Sequence, residues 1–304
     1  MPNFNIGQSR LAAASEQWLC ANLHQFMVPW DDDSREIMRH LQMYTELSLL
    51  ATTNTEAKQA VFPRLQKAMK GWLLKNPPVP EKLVKVVKEF PHSFVWAGSI
   101  WMNYTRCKLT VPGLTESLQH LAQFPSVVHF ERPAGHEICV RNILDALQVS
   151  YSFNRSDPIS RTILANGVED EASDTVVYLF CHDIFFMSNW GARQIIDGLP
   201  EPIQCIRQMK RWFQRCIKIG HIDLAAEIII AFSYLNERQN IEPLERSAAD
   251  SIETTGLPQS PKGQGSGFIR AGDDADRIQF LRNYHTVIAC LMAFIRSAQN
   301  SSSC

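Results

Sequence analysis

Residues 174–191, DTVVYLFCHDIFFMSNWG, form an almost wholly apolar stretch of the chain. One histidine and one aspartate, His182 and Asp183, interrupt the run between Val176 and Met187. Burying a polar side chain costs free energy unless the side chain forms a hydrogen bond. We therefore predict a buried helix whose polar groups either form a hydrogen-bond network in the core or line a water-filled pocket.

A helix over 173–190 would bring residues three and four positions apart onto one face. The side chains on that face are Tyr178, His182, Phe186 and Asn189. The adjacent Asp183 would point about a hundred degrees away from them. Apolar surroundings lower the pKa of a histidine and keep the imidazole neutral, which suits a general base or a metal ligand. This pattern predicts one of these two roles for His182.

A second histidine lies in the segment 280–295, FLRNYHTVIACLMAFI. His285 stands between Tyr284 and Thr286, where a helical pattern enters its apolar run. The segment follows a long Gly-, Ser- and Pro-rich stretch, 254–274, which predicts a flexible loop. A histidine at this point of a helix faces either the mouth of a cavity or solvent.

Composition limits the class of protein. The chain has 304 residues, of which 45% are hydrophobic, and its 30 Lys+Arg balance 31 Asp+Glu. No concentrated basic patch is present, so we predict no nucleic-acid partner. The apolar run from Val176 to Met187 is too short to cross a bilayer, so we predict no membrane span. These features indicate a single helical domain over 1–304, with a small molecule as its partner; the oligomeric state stays open.

The cysteines and the N-terminus bear on the compartment. None of the eight cysteines forms a Cys-x-x-Cys pair, and most lie within apolar helical patterns. Buried free cysteines behave as small hydrophobic residues, so we predict reduced thiols rather than a disulfide framework. The first ten residues, MPNFNIGQSR, contain no hydrophobic signal segment. We predict a cytoplasmic protein.

Helical periodicity dominates the whole chain, with prolines and glycines between the segments. About a dozen helices with short connections predict an all-α fold of antiparallel helix pairs. No fixed-period repeat is present. Pro63 predicts a kink in a helix. The segment 125–132, PSVVHFER, is the one strand candidate and is predicted to be an extended connector.

Three stretches carry a resemblance to a known family: 178–191, 212–236 and 280–294, read as YLFCHDIFFMSNWG, WFQRCIKIGHIDLAAEIIIAFSYLN and FLRNYHTVIACLMAF. They resemble a bacterial family of uncharacterised all-helical proteins. Its members share a Thr-His-x-x-Phe-Tyr-x-Thr-Asp-x-Gly motif and a late Tyr-His-Thr motif. They come mainly from actinomycetes and related bacteria and are encoded partly near biosynthetic genes. The resemblance implies a similar length, an all-helical fold and a role in biosynthesis.

Within the first motif, His182 matches the family's histidine, Phe185 and Phe186 match its Phe-Tyr pair, and Gly191 matches its closing glycine. The chain departs from the motif at two places. Cys181 stands where the family has threonine, and the pair 188–189, Ser-Asn, replaces Thr-Asp. A mechanism that needs the missing carboxylate is therefore in doubt here, unless Asp183 substitutes for it.

The second motif is matched by Tyr284, His285 and Thr286. The family's helix pattern is also similar to the α/α toroids of terpene cyclases, protein prenyltransferases and lanthionine cyclases. This likeness implies either an α/α toroid-like fold or an irregular helical array, and it says little about the reaction. The aspartate run in WDDDS, 30–34, superficially matches a terpene-cyclase motif but is typical of a helix start. The zinc ligands of lanthionine cyclases have no clear equivalent.

Two functional hypotheses follow. In the first, the protein is an enzyme of bacterial secondary metabolism that acts on a small, partly apolar metabolite. Its catalytic residues would be His182, His285 and Tyr284, and its binding residues would be Asn189, Phe186, Trp190 and Tyr178. The alternative to acid–base chemistry is a divalent metal held by His182, His285 and Asp183. In the second, a non-catalytic helical module binds a peptide, a carrier protein or a partner helix in a groove. Convergence of His182 and His285 at a concave site would favour the enzyme; separate tethers to backbone carbonyls would favour the module.

Overall fold

Helices make up all the regular structure of the part of the chain that the computed structural model describes. The described residues are 9–57, 60–152, 157–167, 169, 171–196, 199, 201–259 and 269–301. Over these residues the first seven α-helices are α1 Arg10–Asn22, α2 Ser34–Glu56, α3 Pro63–Lys75, α4 Pro80–Glu89, α5 Phe94–Arg106, α6 Leu114–Leu121 and α7 Pro125–Val128. The other seven are α8 Ala134–Ala146, α9 Ile163–Asn166, α10 Asp174–Met187, α11 Pro202–Ile219, α12 Ile222–Tyr234, α13 Glu242–Thr255 and α14 Ala275–Ser301. The all-α prediction is confirmed.

Helix starts follow local chemistry. The Asp33 carboxylate accepts a hydrogen bond from the Glu36 backbone N–H at 2.9 Å and caps α2, which confirms the helix-start interpretation of the aspartate run. Pro63 is the first residue of α3 and does not kink a longer helix. The N–H groups of the first helical turn have no partner within the helix, so proline, which has no N–H, fits that position. The predicted connector at 125–132 begins as the single-turn helix α7.

Six helices form a closed ring. α2 packs on α5, α5 on α8, α8 on α10, α10 on α12, α12 on α14, and α14 returns to α2. Other helices cover this ring from outside: α1 packs on α14, α4 on α2, and α11 on α12. The inner-and-outer arrangement of helix pairs is that of an α/α toroid, the first of the two architectures predicted from the family resemblance.

Neighbouring helices of the ring run in the same direction. Arg277 at the start of α14 bonds His40 of α2 at 3.1 Å, and His285, two turns later, bonds Glu46 at 3.0 Å. The same order holds between α10 and α12, in the pairs Tyr178 with Asp223 and His182 with Glu227. Parallel inner helices place residues at a similar depth along each helix at one level of the ring.

Helix α14 also passes a length and composition test for a membrane span. Its segment Ala275–Gln299 has 25 residues and a mean hydropathy of 1.2 in the most apolar window, 78% of which is buried inside the fold. This burial is that of a core helix, since α1, α2 and α12 all pack on it.

Two of the remaining predictions concern local features. The seven described cysteines are free thiols, and six of them are buried. At the predicted 254–274 loop, α13 continues to Thr255 and a left-handed Gly256 ends it. Residues 260–268, the centre of that prediction, lie outside the described residues.

The close approach of α5 and α8 generates a stability prediction. A Cβ added at Gly98 would lie 2.5 Å from the Cδ1 of Ile143 and 2.7 Å from its Cγ2. Ile143 is fully buried and branched at Cβ, so it has little freedom to yield. We expect Gly98→Ala to lower the free energy of unfolding by about 1–3 kcal/mol in urea denaturation.

Gly71 of α3 is the matched control. A Cβ added there meets nothing within 4 Å. Gly71→Ala should therefore raise the free energy of unfolding by about 0.5–1 kcal/mol, through helix propensity alone. Equal effects of the two substitutions would contradict the close packing of α5 on α8.

Candidate functional site

The exposure pattern of the ring helices marks one place in the molecule. The middle of α12, from 221 to 232, is buried throughout. Each of the other five inner helices buries its middle stretch except for one residue. These stretches and their partly exposed residues are 43–54 with Glu46, 93–100 with Trp96, 135–140 with His136, 180–188 with His182 and 283–296 with His285.

These five residues are neighbours. His285 Nδ1 lies 3.0 Å from Glu46 Oε2, and the rings of Trp96 and His136 are 5.7 Å apart. The charge of His182 influences the ionisation of His136, so these two rings are also close. We call the solvent-accessible space that Glu46, Trp96, His136, His182 and His285 line the central opening. A polar opening at one level of an otherwise buried ring is typical of a ligand site.

Glu227 of α12 joins the two predicted histidines at the base of the opening. His182 Nε2 lies 3.4 Å from one of its carboxylate oxygens, and His285 Nε2 lies 3.2 Å from the other. The Glu227 side chain is 5% exposed, whereas each imidazole is 38% exposed. A buried carboxylate is thus shared by two imidazoles whose remaining edges contact solvent. Within the described residues, neither imidazole is tethered to a backbone carbonyl.

The ionisation of the cluster follows from this geometry. Burial by itself would raise the pKa of Glu227, but the two imidazoles outweigh burial and lower that pKa to about 2. Burial would lower the pKa of His182, but the Glu227 carboxylate outweighs it and raises that pKa. Burial is outweighed in the same way at His285, where Glu46 and then Glu227 hold the pKa well above its ordinary value. The prediction of a neutral His182 is therefore wrong, because the sequence did not reveal the carboxylate beside it.

His136 of α8 has the opposite ionisation. Its ring contacts Trp96 and, at 5.6 Å, Phe186. Burial against these apolar rings, assisted by the positive charge of His182, lowers the pKa of His136 to about 4. The central opening therefore contains one imidazole whose pKa is lowered, which favours the neutral form, and one whose pKa is raised, which favours the protonated form. This pairing allows a proton to be donated and accepted by two residues in one site.

Three of the predicted binding residues lie in one aromatic group. Phe186 contacts the rings of both His182 and His136, and Trp190 packs on Phe186 at 5.5 Å. The ring of Tyr178 lies 6.4 Å from that of His182, and its hydroxyl donates to Asp223. These side chains form the apolar wall next to the imidazoles, although contact with a ligand stays a prediction.

Two other predicted site residues, Asn189 and Tyr284, occupy structural positions. Helix α10 ends at Met187 and not at 190, and Asn189 follows in the left-handed region with φ of 49°. Asn189 therefore does not continue the helical face of His182. Tyr284 is 2% exposed, and its ring stacks on Phe280 at 5.5 Å. This places Tyr284 in the aromatic core and argues against its predicted catalytic role.

The predicted metal set is not assembled. A carboxylate oxygen of Asp183 accepts hydrogen bonds from the backbone N–H groups of Ile163 and Leu164, at 2.9 and 3.3 Å. Asp183 thus holds the start of α9 and does not join His182 and His285. Across the described part of the chain, no group of three or more His, Cys, Asp or Glu side chains has a geometry that could hold a metal ion.

A second polar cluster, built around the imidazole of His221, lies one helical turn below the opening. The hydroxyl of Tyr178 donates to Asp223, and the other carboxylate oxygen of Asp223 lies 2.9 Å from His221 Nδ1. His221 Nε2 in turn lies 3.4 Å from Asp174. His221 is only 7% exposed and both of its nitrogens have carboxylate partners, so this network orients Tyr178 and is not open to a ligand.

Sequence reasoning missed four residues of the site: Glu46, Trp96, His136 and Glu227. One of them carried a usable signal. Glu227 stands inside the apolar segment 222–232, IDLAAEIIIAF, just as His182 stands inside its own apolar stretch. An ionisable group in a fully buried helix predicts a charged partner.

The fold and the site define an all-α protein in which a ring of parallel helices surrounds a histidine–carboxylate cluster. The chain belongs to the family described as "Domain of unknown function (DUF6895)", whose sequence model matches residues 12–295. Membership of an uncharacterised all-helical family is thereby confirmed. Comparison with curated proteins found no match, and comparison with solved structures found none either.

The opposed ionisation of the imidazoles can be measured. We expect the NMR titration of ring nitrogens to give pKa values above 6.5 for His182 and His285 and about 4 for His136. Glu227→Gln should lower the pKa values of His182 and His285, because it removes the negative charge that favours both imidazolium ions. Glu56→Gln on the outer end of α2, where Glu56 pairs with Arg106 at 2.7 Å, should change none of them.

The cluster should also produce a pH-dependent stability. The pKa of Glu227 falls from 4.5 to about 2, so its contribution is present above pH 4.5 and is lost as pH falls through the folded value. The imidazole pKa values rise above 6.5, so their contribution is present below pH 6.5 and is lost as pH rises through the folded values. We expect the difference in unfolding free energy between the wild type and Glu227→Gln to be largest between these limits. Urea denaturation at acidic, intermediate and alkaline pH measures it, and a difference that is constant with pH would contradict the assignment.

Proposed function

We propose that the protein is an enzyme that catalyses proton transfer on a small, partly apolar metabolite bound in the central opening. One observation carries the proposal: His182 and His136, whose rings both contact Phe186, stand in one partly exposed site, and their pKa values are shifted in opposite directions. Groups whose surroundings push their pKa values apart are suited to act as acid and base of one reaction.

His182 is the proposed general acid. Its Nε2 is held by Glu227, and among the described residues its Nδ1 has no hydrogen-bond partner. A carboxylate on one imidazole nitrogen fixes the ring and leaves the other nitrogen for the substrate, as in catalytic triads. With its pKa raised, His182 carries a proton on Nδ1 that it can donate into the opening.

His285 is proposed as a positioning residue and not as a group that contacts the substrate. Both of its nitrogens are occupied, Nδ1 by Glu46 and Nε2 by Glu227. It holds Glu227 in place and partly neutralises the negative charge of that carboxylate. It therefore acts on His182 through Glu227. The sequence predicted that both imidazoles act on the substrate directly, whereas this proposal assigns direct contact to His182 and an indirect role to His285.

His136 is the proposed general base. A pKa of about 4 leaves the imidazole neutral at physiological pH, so a lone pair is available to accept a proton. Its ring is held edge-on between Trp96 and Phe186. The same two aromatic rings give the opening an apolar wall, which favours a metabolite with an apolar or aromatic part over a highly charged one. A step in bacterial secondary metabolism fits such a substrate.

The alternative of a non-catalytic helical module has less support. It would be favoured by histidines that lie far apart and bond to backbone carbonyls. Here His182 and His285 form ion pairs with the same carboxylate, and each keeps more than a third of its side chain exposed. A purely structural ion pair has no need of that exposure.

A turnover experiment in deuterated solvent distinguishes the two hypotheses. Purified protein is incubated with a bacterial metabolite extract in D2O, and mass spectrometry follows compounds that are consumed or that gain deuterium. We expect the wild type to convert a metabolite and His182→Gln to bind it with turnover lowered by about 10²–10⁴-fold, the usual worth of general acid–base catalysis. His136→Gln should show a loss of the same kind.

His120→Gln provides the matched control, because His120 lies exposed on α6 outside the ring. It should retain full turnover. If the wild type binds a metabolite without changing it chemically, and His182→Gln binds it equally well, the result would contradict the enzyme proposal and support the binding module.

A further inference from the structure

A second polar cavity lies near the ends of α10 and α12, away from the central opening. Its volume is about 170 Å³, several times the ~30 Å³ that one water molecule occupies in the liquid. Tyr234, which lines it, lies seven residues beyond Glu227 on α12, or about 10 Å along the helix axis. The ring of Phe185 packs edge-on against Tyr234. The other polar side chains that line the cavity are Arg193, Gln194, Ser233, Asn236, Arg296 and Gln299.

Arg296 is the most unusual group in this cavity. It is only 9% exposed, although it carries a full positive charge. Its terminal nitrogens donate to the Trp190 carbonyl at 3.1 Å and to Gln299 at 3.1 Å, and its guanidinium lies over the ring of Tyr234. Its Nε is buried and has no hydrogen-bond partner among the described residues. A buried charge of this kind ordinarily has a carboxylate partner.

Arg193 adds a second guanidinium to the same cavity. Its Nε donates to the Met187 carbonyl at 2.6 Å, and one terminal nitrogen donates to Asn142 Oδ1 at 3.0 Å. Its other terminal nitrogen has no partner in the described part of the chain, and no described carboxylate pairs with either arginine. The cavity is therefore rich in donors and has two positive charges.

The helix ends nearby neutralise only part of this charge. α10 ends at Met187 and α12 at Tyr234, and the C-terminus of a helix carries roughly half a negative elementary charge. Two helix ends therefore offset about one of the two guanidinium charges. The rest of the positive charge has no carboxylate partner among the described residues, so capping of α10 and α12 alone does not account for both arginines.

Another arginine-lined cavity shows how the fold balances such charges. Arg270 and Arg277 line a cavity of about 60 Å³ together with Glu36 and Asp273. There, Arg270 forms a salt bridge with Glu36. The contrast indicates that, among the described residues, the cavity around Arg193 and Arg296 has no carboxylate that balances its charge.

We propose that this cavity binds a tetrahedral oxyanion, namely a phosphate group that is either free or carried by a metabolite. Guanidinium groups bind phosphate through charge-assisted, paired hydrogen bonds. The terminal nitrogens of Arg193 and Arg296, which line the cavity, are the donors that such an anion would engage. This site is separate from the proposed proton-transfer site and does not depend on it.

Calorimetry on the full-length chain tests the proposal with inorganic phosphate and with phenyl phosphate, at an ionic strength kept constant with sodium chloride. We expect saturable binding of at least one of the two. Tighter binding of phenyl phosphate would identify a phosphorylated metabolite as the ligand, and equal or weaker binding would identify the free anion. Arg193→Gln, at an exposed position, should weaken binding by about tenfold or more.

Arg296→Gln should weaken binding further, and Arg193→Gln keeps the proposal testable if this buried substitution disturbs folding. Arg282→Gln is the matched control, because Arg282 is exposed on the same helix, α14. It should leave the affinity unchanged. An absence of phosphate binding beyond the effect of chloride, or equal affinities in Arg193→Gln and Arg282→Gln, would overturn the proposal.

Discussion

The carboxylate of Glu227 is the group on which the arrangement of the site depends. A buried carboxylate without partners is costly, because water no longer solvates its charge. Here two imidazoles carry the compensating charge, and a second carboxylate, Glu46, supports one of them. The four groups alternate in sign, so removing any one of them leaves the cluster as a whole with one uncompensated charge. The chain of contacts therefore fixes the ionisation of the whole cluster.

The closed ring is what makes this cluster possible. Its four members come from four helices, α2, α10, α12 and α14, which are widely separated along the chain. Because the inner helices are parallel, residues near the same depth meet at one level. An antiparallel neighbour would instead bring the end of one helix to the start of the next. The same level carries Trp96 and His136 from α5 and α8, so the apolar wall and the ionised cluster are consequences of one topology.

Sequence patterns predicted the helical class and the family, and they drew attention to His182 and His285, because helical period and apolar context are local properties. Ionisation could not be predicted, because it is set by groups distant in sequence. The neighbour that decides the pKa of His182 is Glu227, on another helix. The residue at which α10 ends was also not predicted correctly from the sequence. It is set by a left-handed turn at 189–191, where a Cβ on Gly191 would lie 2.5 Å from the ring of Tyr234.

A purely structural role explains fewer features of the cluster than a functional role does. Well-packed hydrophobic residues often stabilise a core as much as, or more than, a buried ion pair of similar volume. A ring that needed only stability would be served by the aliphatic residues that fill the rest of α12. Instead the buried carboxylate lies next to imidazoles that remain 38% exposed, and the pKa of His136 is shifted in the opposite direction to that of the nearby His182. Partial exposure weakens an ion pair through solvent screening, yet it is what a group needs in order to exchange a proton with a ligand.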